Sequence, residues 1–314
     1  MKNKYILILL LALTGCKYSF QLDYMDVKPM AAIRSYVCAD SLVVIDIQKT
    51  VPLAQLAKAD TTLVNPHYSI RRNGAELSVD ETMASAGHMV LKADAFRTGD
   101  KIEVVFESDD TETAVASTII PGSFPEYELE LCSSNNAERN LKIRYKDDPK
   151  TTDYYGAAVT WKGLQEVNVG LDEPHVMEVG NQEIIPPSGY NDIQLEPEAY
   201  SPLLVDFNGD YLFIWKDSDE EDNEYDLCYN YRPQYDGSAR VVIEADIQCS
   251  LLKLSEEMYR HLFAEFDRMN NPFMEPGLSS PAFTYTNVRN GLGYLCGYSS
   301  VKTDWIKDTL FEKR

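Results

Sequence analysis

Basic residues are scarce in this chain: 29 lysines and arginines face 50 aspartates and glutamates, for a formal net charge of -21 at pH 7. Nucleic acids are captured by clustered lysine and arginine, and no stretch here gathers more than three or four basic residues. A nucleic-acid partner is therefore excluded. Histidine is scarce as well. The four, His67, His88, His175 and His261, lie far apart, and none has a serine or cysteine nearby in a nucleophile context. The chain contains no Gly-x-Ser-x-Gly, His-Glu-x-x-His, phosphate loop or dinucleotide fingerprint, the local signatures of hydrolases, zinc peptidases and nucleotide enzymes. No enzyme and no cofactor are expected, although a triad assembled from distant segments would leave no such signature. A glycosidase needs two suitably spaced carboxylates, and among 50 acidic residues the sequence nominates no pair. Cys-x-x-Cys is absent, and the cysteine spacings fit no zinc ribbon or finger.

What is present supports a folded chain. Hydrophobic residues make up 44% and charged residues 25%, close to globular averages, and 314 residues suggest about two domains. Lys2 and Lys4 precede the apolar run Tyr5 to Leu13, after which Leu13-Thr14-Gly15-Cys16 places small residues directly before a cysteine. This pattern reads as a secretory signal with a lipobox, cleaved ahead of an acylated Cys16. The apolar run is nine residues, far short of the roughly 20 that span a bilayer as a helix, so attachment to the membrane would be by lipid. Residues 16–36 then form a lipidated tether. Of the six cysteines, at 16, 38, 132, 228, 249 and 296, five remain after lipidation, an odd number. Cys228 and Cys249 flank what reads as a strand pair and could be bridged, or could be buried thiols acting as small hydrophobes.

Short runs of period-two alternation fill residues 37–121: Leu42 to Gln48, Tyr68 to Arg71, His88 to Ala93, Lys101 to Glu107 and Thr113 to Ile120. Such runs read as strands. Val43, Ile45 and Ile47 fall on one face of the first, as a sheet with one buried side requires. Asn73-Gly74 between two runs is a hairpin signal, because both residues tolerate positive φ. Five or more strands of this kind predict a small β-sandwich. Pro121-Gly122-Ser123-Phe124-Pro125 reads as a joint, and residues 126–302 as a larger β-rich domain, followed by a tail at 303–314. Strands are predicted at Glu126 to Cys132, Arg139 to Lys146, Asp153 to Trp161, Leu203 to Lys216 (folded back at Asn208-Gly209) and Ala239 to Leu254. The stretch from Gly163 to Tyr200 reads as long and irregular, a binding loop or a disordered segment. Ser255 caps one amphipathic helix to about Asn270, with Met258, Leu262, Phe263, Phe266 and Met269 as its apolar stripe.

Two features carry candidate binding chemistry. Asp217, Asp219, Glu220, Glu221, Asp222, Glu224 and Asp226 form an acidic run of hard oxygen donors. Asp217, Asp219 and Glu221 match the start of a calcium loop, but Asp222 replaces its glycine and Cys228 its terminal glutamate, so a solvated acidic loop is the competing reading. Tyr225, Tyr229, Tyr231 and Tyr235 follow closely. Exposed tyrosines suit a ligand-binding surface, although alternate positions such as 229 and 231 equally suit one aromatic core face.

From Leu252 onward the chain runs Leu-x-Leu-Ser-x-Glu-x-Tyr, then Asn271-Pro272-Phe273-x-Glu275-Pro276, then Thr286-Asn287-Val288-x-Asn290-Gly291-Leu292-Gly293-x-Leu295-x-Gly297-Tyr298. This resembles the Bacteroidota outer-membrane lipoproteins grouped as domain of unknown function family 4249. The amino-terminal strands, entered through Val37 to Ile47, look like the Ig-like half of the same family. Asn290-Gly291 and Gly293 read as turn and close-approach positions before a final strand, Leu292 to Tyr298. The fold expected is thus mainly β, an N-terminal Ig-like β-sandwich followed by a larger β-rich domain with one amphipathic helix. The resemblance implies an outer-membrane lipoprotein that assists a TonB-dependent transporter in nutrient uptake, without established chemistry. A structural or adhesive surface lipoprotein, such as a pilus-like subunit, is the alternative. Acidic residues often follow the lipidated cysteine in surface members of such classes; here the first is Asp23, which leaves both faces of the membrane open.

The anchoring is testable by itself. Cys16→Ala should leave the precursor without acyl label and shift the protein out of the membrane fraction; full retention with membranes would contradict the lipid-anchor reading.

Overall fold

The computed structural model describes residues 28–51, 60–85, 87–133, 138–168, 175–185, 202–218, 220–232, 239–270 and 285–310. Cys16, the signal and lipobox, and the Asn271 to Pro276 motif lie outside these residues. Strands dominate the rest. The first group comprises β1 (Ala31–Cys38), β2 (Val43–Lys49), β3 (His67–Arg72), β4 (Ala75–Glu76), β5 (Val79–Ser85), β6 (His88–Ala93), β7 (Lys101–Ser108) and β8 (Thr111–Ile119). The second comprises β9 (Tyr127–Ser133), β10 (Glu138–Lys146), β11 (Tyr154–Asn168), β12 (His175–Ile185), β13 (Leu203–Phe207), β14 (Asp210–Lys216), β15 (Asp222–Tyr231) and β16 (Ala239–Leu254). After these come helix α1 (Glu256–Asn270), β17 (Val288–Arg289), β18 (Gly291–Lys302) and β19 (Ile306–Lys307). The mainly-β expectation holds.

Side-chain alternation explains most of these elements. In β2, Val43, Ile45 and Ile47 are buried and the intervening positions face outward, as the sequence predicts. Asn73 and Asn208 adopt φ of 51° and 58°, each followed by a positive-φ glycine, so both Asn-Gly pairs make the tight turns expected of them. Fully burying an isoleucine, leucine or phenylalanine contributes about 1.5–3 kcal/mol, and many such side chains meet here. Ile33, Ile45 and Leu91 from one sheet pack on Ile70, Val104 and Phe106 from the other.

The two sheets of this amino-terminal sandwich are not completed by residues 37–121. The first begins β5-β6-β2-β1 and continues directly into β18; the second is five-stranded, in the order β17-β8-β7-β3-β4. β1 starts at Ala31, inside the stretch expected to be tether, and pairs in parallel with β18 from Ala31↔Gly291 to Cys38↔Tyr298. Edge strands expose unpaired backbone groups, and β18 and β17 cover those of β1 and β8. On its other side β18 pairs antiparallel with β16, from Ser250↔Lys302 to Leu254↔Tyr298. One 14-stranded sheet therefore runs through both halves of the chain.

Beyond β16 the sheet continues β11-β12-β15-β10-β9. β12 pairs with β11 along most of its length and with β15 through Ile184↔Tyr231 and Ile185↔Asn230. This bend lays β9, β10 and β15 over β11, β14 and β16, enclosing Trp161, Trp215, Phe213, Leu141, Ile143 and Leu227. The expected loop from Gly163 to Tyr200 is corrected over its first part: β11 extends to Asn168 and β12 returns from His175. Gly163 misleads as a loop signal. A Cβ there would stand 2.0 Å from the Glu244 carbonyl oxygen, so this glycine marks a bulge where two strand backbones approach closely.

Helix α1 begins as expected. The Ser255 hydroxyl accepts from the Met258 amide at 3.2 Å, an N-cap bond, and also from the Gly297 amide of β18 at 3.2 Å. Met258, Leu262 and Phe266 are buried against β13, β14, β16 and β18. Phe263 and Met269 are not part of this stripe, being 40% and 65% exposed; one residue beyond Leu262 the helix has turned about 100° away. The expected tail is also tied down. Asp308 is fully buried, accepting from Arg139 Nε at 2.6 Å and from the Tyr231 hydroxyl at 2.8 Å. Removing one member of a buried charge pair strands the other at a cost of about 3–5 kcal/mol.

The described cysteines, Cys38, Cys132, Cys228, Cys249 and Cys296, are free thiols. Cys249 is a core residue rather than half of a bridge with Cys228, and burial pushes its thiol up to about 12.

The insertion of β18 rests on Gly293. Its φ is +97°, and a Cβ would stand 2.1 Å from the Ile33 carbonyl oxygen of β1. Gly293→Ala combines left-handed strain with a backbone clash and should cost about 3 kcal/mol or more, read as a lower midpoint in urea unfolding with unchanged slope.

Candidate functional site

The faces of β1 and β18 that turn away from the sandwich core meet α1 across a cavity of about 670 Å³. Alternation decides which residues arrive there. Ala31, Ile33 and Val37 enter the sandwich core, whereas Ala32, Arg34 and Tyr36 line the cavity. β18 adds Leu292 and Tyr294, which stand opposite Ala32 and Arg34 in the parallel register. From α1 come His261, Glu265 and Arg268, spaced four and three residues apart and so on one helix face. Asp206 and Asn208, at the tip of the β13–β14 hairpin, close another side.

An aromatic cluster forms the floor. The His261 ring stacks on Tyr294 at 4.0 Å between centroids, and Tyr36 lies 4.7 Å from Tyr294 and 4.8 Å from Phe207. His261 Nε2 shares a 2.9 Å hydrogen bond with the Tyr36 hydroxyl. Its Nδ1 is buried without a hydrogen-bond partner. Burial holds the imidazole below its ordinary range, opposed in part by Glu265, and the ring is neutral at pH 7. Burial also pushes the Tyr36 phenol up. At the mouth, Arg268 is held by Glu265 at 2.6 Å, and Arg34 is exposed. The arrangement offers flat apolar contact area with charged groups of both signs at the rim, the composition of a small-molecule pocket.

The tyrosines nominated from sequence stand elsewhere. In β15 odd positions point inward, so Tyr225, Tyr229 and Tyr231 are core residues, 6%, 0% and 8% exposed. Tyr225 donates to the Lys216 carbonyl at 3.1 Å, and Tyr231 packs on Trp161 at 5.4 Å as well as bonding Asp308. They are corrected from contact surface to core. Tyr235 lies outside the described residues. The even positions of the same strand carry the later part of the acidic run outward as a cross-strand ladder, in which Lys142 and Arg144 of β10 pair with Glu224 at 3.0 and 2.6 Å and Lys146 with Asp222 at 3.2 Å. Glu220 and Glu221 precede the strand and are exposed, as a solvated loop would be.

Asp217 does not gather with Glu221 as a calcium loop would place it. Asp219 lies outside the described residues and Glu221 is exposed. Instead Asp217 gathers with Asp147, which follows β10, and Asp153, which precedes β11; one carboxylate oxygen of each lies within 4.8 Å of the others. Burial first, then the charges of Asp147 and Asp153, push the Asp217 carboxyl up to about 6. A second close carboxyl pair joins Glu183 of β12 to Asp210 of β14, and the hydrogen bond to Asp210 raises Glu183 to about 7. The sequence signals none of these meetings, because each joins segments far apart in the chain.

The family described as Domain of unknown function (DUF4249) matches residues 17–304. No curated protein matches the chain. Among solved structures, the adhesin InvE of Yersinia pseudotuberculosis is similar at 11% identity over 72% of this chain, with a TM-score of 0.20; the chain spans 55% of that structure's length.

The buried histidine has a pH consequence. Unfolded histidine titrates at about 6.5, and His261 titrates lower in the fold, so below that range the unfolded chain binds a proton that the folded one refuses. Its penalty therefore grows as pH falls through about 6.5 toward the folded value. His261→Gln should lose less stability than the parent between pH 7.5 and 5.5, measured by urea midpoints; the other titrating groups are common to both and cancel in the comparison.

Proposed function

We propose, from the premise that this chain belongs to the DUF4249 family of domains of unknown function, that it is a non-enzymatic outer-membrane lipoprotein that binds a small ligand on behalf of a TonB-dependent transporter. Cys16 carries the lipid anchor in this reading, and the outer-membrane address and the transporter partner come from the sequence resemblance. The observation that carries the ligand-binding part is the cavity between α1 and the outer faces of β1 and β18, with His261, Tyr36 and Tyr294 stacked as its floor. Aromatic floors supply rigid apolar area at low entropic cost. Arg34, Arg268, Glu265 and Asp206 supply rim groups that orient a polar edge. The ligand class that fits is a small organic molecule with a flat apolar face and a polar margin. The reading assigns no reaction: the cavity's histidine bonds a tyrosine and stacks on another, which suits binding rather than turnover.

The test is recovery of partners. A carboxyl-terminally tagged protein, expressed natively and purified from gently solubilised outer membranes, should bring down a TonB-dependent barrel in near-equal amount. Tyr294→Ala should leave that complex intact while weakening capture of the transported substrate roughly tenfold, the effect of about 1.4 kcal/mol of lost contact. Recovery of the protein alone, or of its own polymers, would overturn the uptake reading.

A further inference from the structure

We propose that Asp147, Asp153 and Asp217 form a binding site for a hard divalent cation of the calcium type, which clamps together three strand ends of the carboxyl-terminal half. The site is distinct from the aromatic cavity and does not depend on its ligand.

The geometry comes first. Calcium holds carboxylate oxygens at about 2.3–2.6 Å, so two oxygens on one ion stand at most about 4.6–5.2 Å apart. One oxygen from each of the three aspartates satisfies that limit, all lying within 4.8 Å of one another. The donors come from three places: the turn after β10, the residue before β11, and the residue after β14. The Asp217 amide donates to the Asp153 carbonyl at 3.1 Å, which fixes two of these segments side by side.

The second observation is an unpaired oxygen. Asp217 is 2% exposed, and its Oδ2 is buried with no hydrogen-bond partner. The neighbouring carboxylates are better served. Asp153 Oδ2 pairs with Lys253 Nζ at 2.8 Å and accepts from the Thr151 hydroxyl at 3.3 Å. Asp147 accepts from the Tyr155 hydroxyl through Oδ2 and from the Asp148 amide at 2.9 Å through Oδ1. A buried carboxylate oxygen without donor or cation is costly. Of the three carboxylates, only Asp153 has a lysine in ion-pair contact, Lys253 at 2.8 Å, and a divalent ion would supply the charge the other two lack. The donor set is oxygen only, which favours calcium or magnesium over zinc or copper. Asp147 and Asp153 are only half-buried, which leaves room for the water ligands that complete a calcium shell.

Thermal unfolding of the chelator-treated chain, alone and with calcium, tests the proposal. Millimolar calcium should raise Tm by about 3 °C or more, and magnesium less. Asp217→Asn should abolish the shift while leaving the chelated protein at least as stable, since it removes a like charge. Glu224→Gln, on the exposed acidic ladder, should keep the shift. Terbium provides a direct reading: excitation of tyrosine should sensitise its emission through Tyr155, and calcium should quench that emission by displacement. If Asp217→Asn fails to fold, Asp147→Asn takes its place in both assays. No shift with either ion, an equal shift in the aspartate variant, or terbium emission that calcium leaves unchanged would each overturn the site.

Discussion

β18 enters the large sheet between β1 and β16, parallel to the first and antiparallel to the second, and both halves of the chain are organised around that insertion. Without it β1 would present a bare edge on one side of the molecule and β16 on the other. The backbone can approach closely enough because Gly293 carries no side chain where β1 passes. The insertion also seats the helix, since the Gly297 amide of β18 bonds the Ser255 hydroxyl that caps α1. Pairing Ala31 with Gly291 closes nearly the whole chain into one loop. Contacts of such sequence separation form slowly and only after much entropy has been lost, so the amino-terminal sandwich is not complete before β18 is available.

The cavity is a product of the same insertion. A strand has two faces, and in β1 and β18 one face is consumed by the sandwich core while the other is left for α1. Because α1 touches the strands mainly through Met258, Leu262 and Phe266, its neighbouring face meets the sheet only where His261 stacks on Tyr294, and Glu265 and Arg268 beyond it line the cavity. The space beneath becomes the pocket. Stability and binding therefore draw on adjacent residues of the same strands, Ile33 for one and Arg34 for the other.

Charge is distributed by a similar division. A chain of net charge -21 must separate or pair its carboxylates, and β15 does so by alternation: Asp222 and Glu224 face outward to Lys146, Lys142 and Arg144, while Tyr225, Leu227 and Tyr229 face inward. The exposed ladder is screened by water and salt and contributes little per pair. Asp147, Asp153 and Asp217 lie where screening is weaker, and burial first, then the two neighbouring charges, raise the Asp217 carboxyl. Arg139 and Asp308 represent the opposite solution, a buried pair satisfied by the Tyr231 hydroxyl and by the Leu310 amide.

Elements written in local alternation or turn chemistry are legible in the sequence: the strands around Val43 to Ile47 and Ala239 to Leu254, the Asn73-Gly74 and Asn208-Gly209 turns, the Ser255 cap, and the closing strand after Asn290. A period of two or a positive-φ turn depends on neighbours within a few residues, so the local order of amino acids is enough to specify it. β12 is not legible in this way, because most of its side chains face solvent on both sides of the pleat and give no apolar signal. Nor is the inward turn of Tyr225, Tyr229 and Tyr231, since alternation states that these residues share a face without stating which face is buried. The candidate sites lie further out of reach. Tyr36 and His261 are 225 positions apart, and Asp217 finds its partners on the turn of another hairpin rather than in its own acidic run. Such meetings are set by strand order and register, which depend on the closure of the whole sheet. Where this protein gathers its aromatic rings and its charge is therefore a property of the folded chain, beyond the reach of any local pattern.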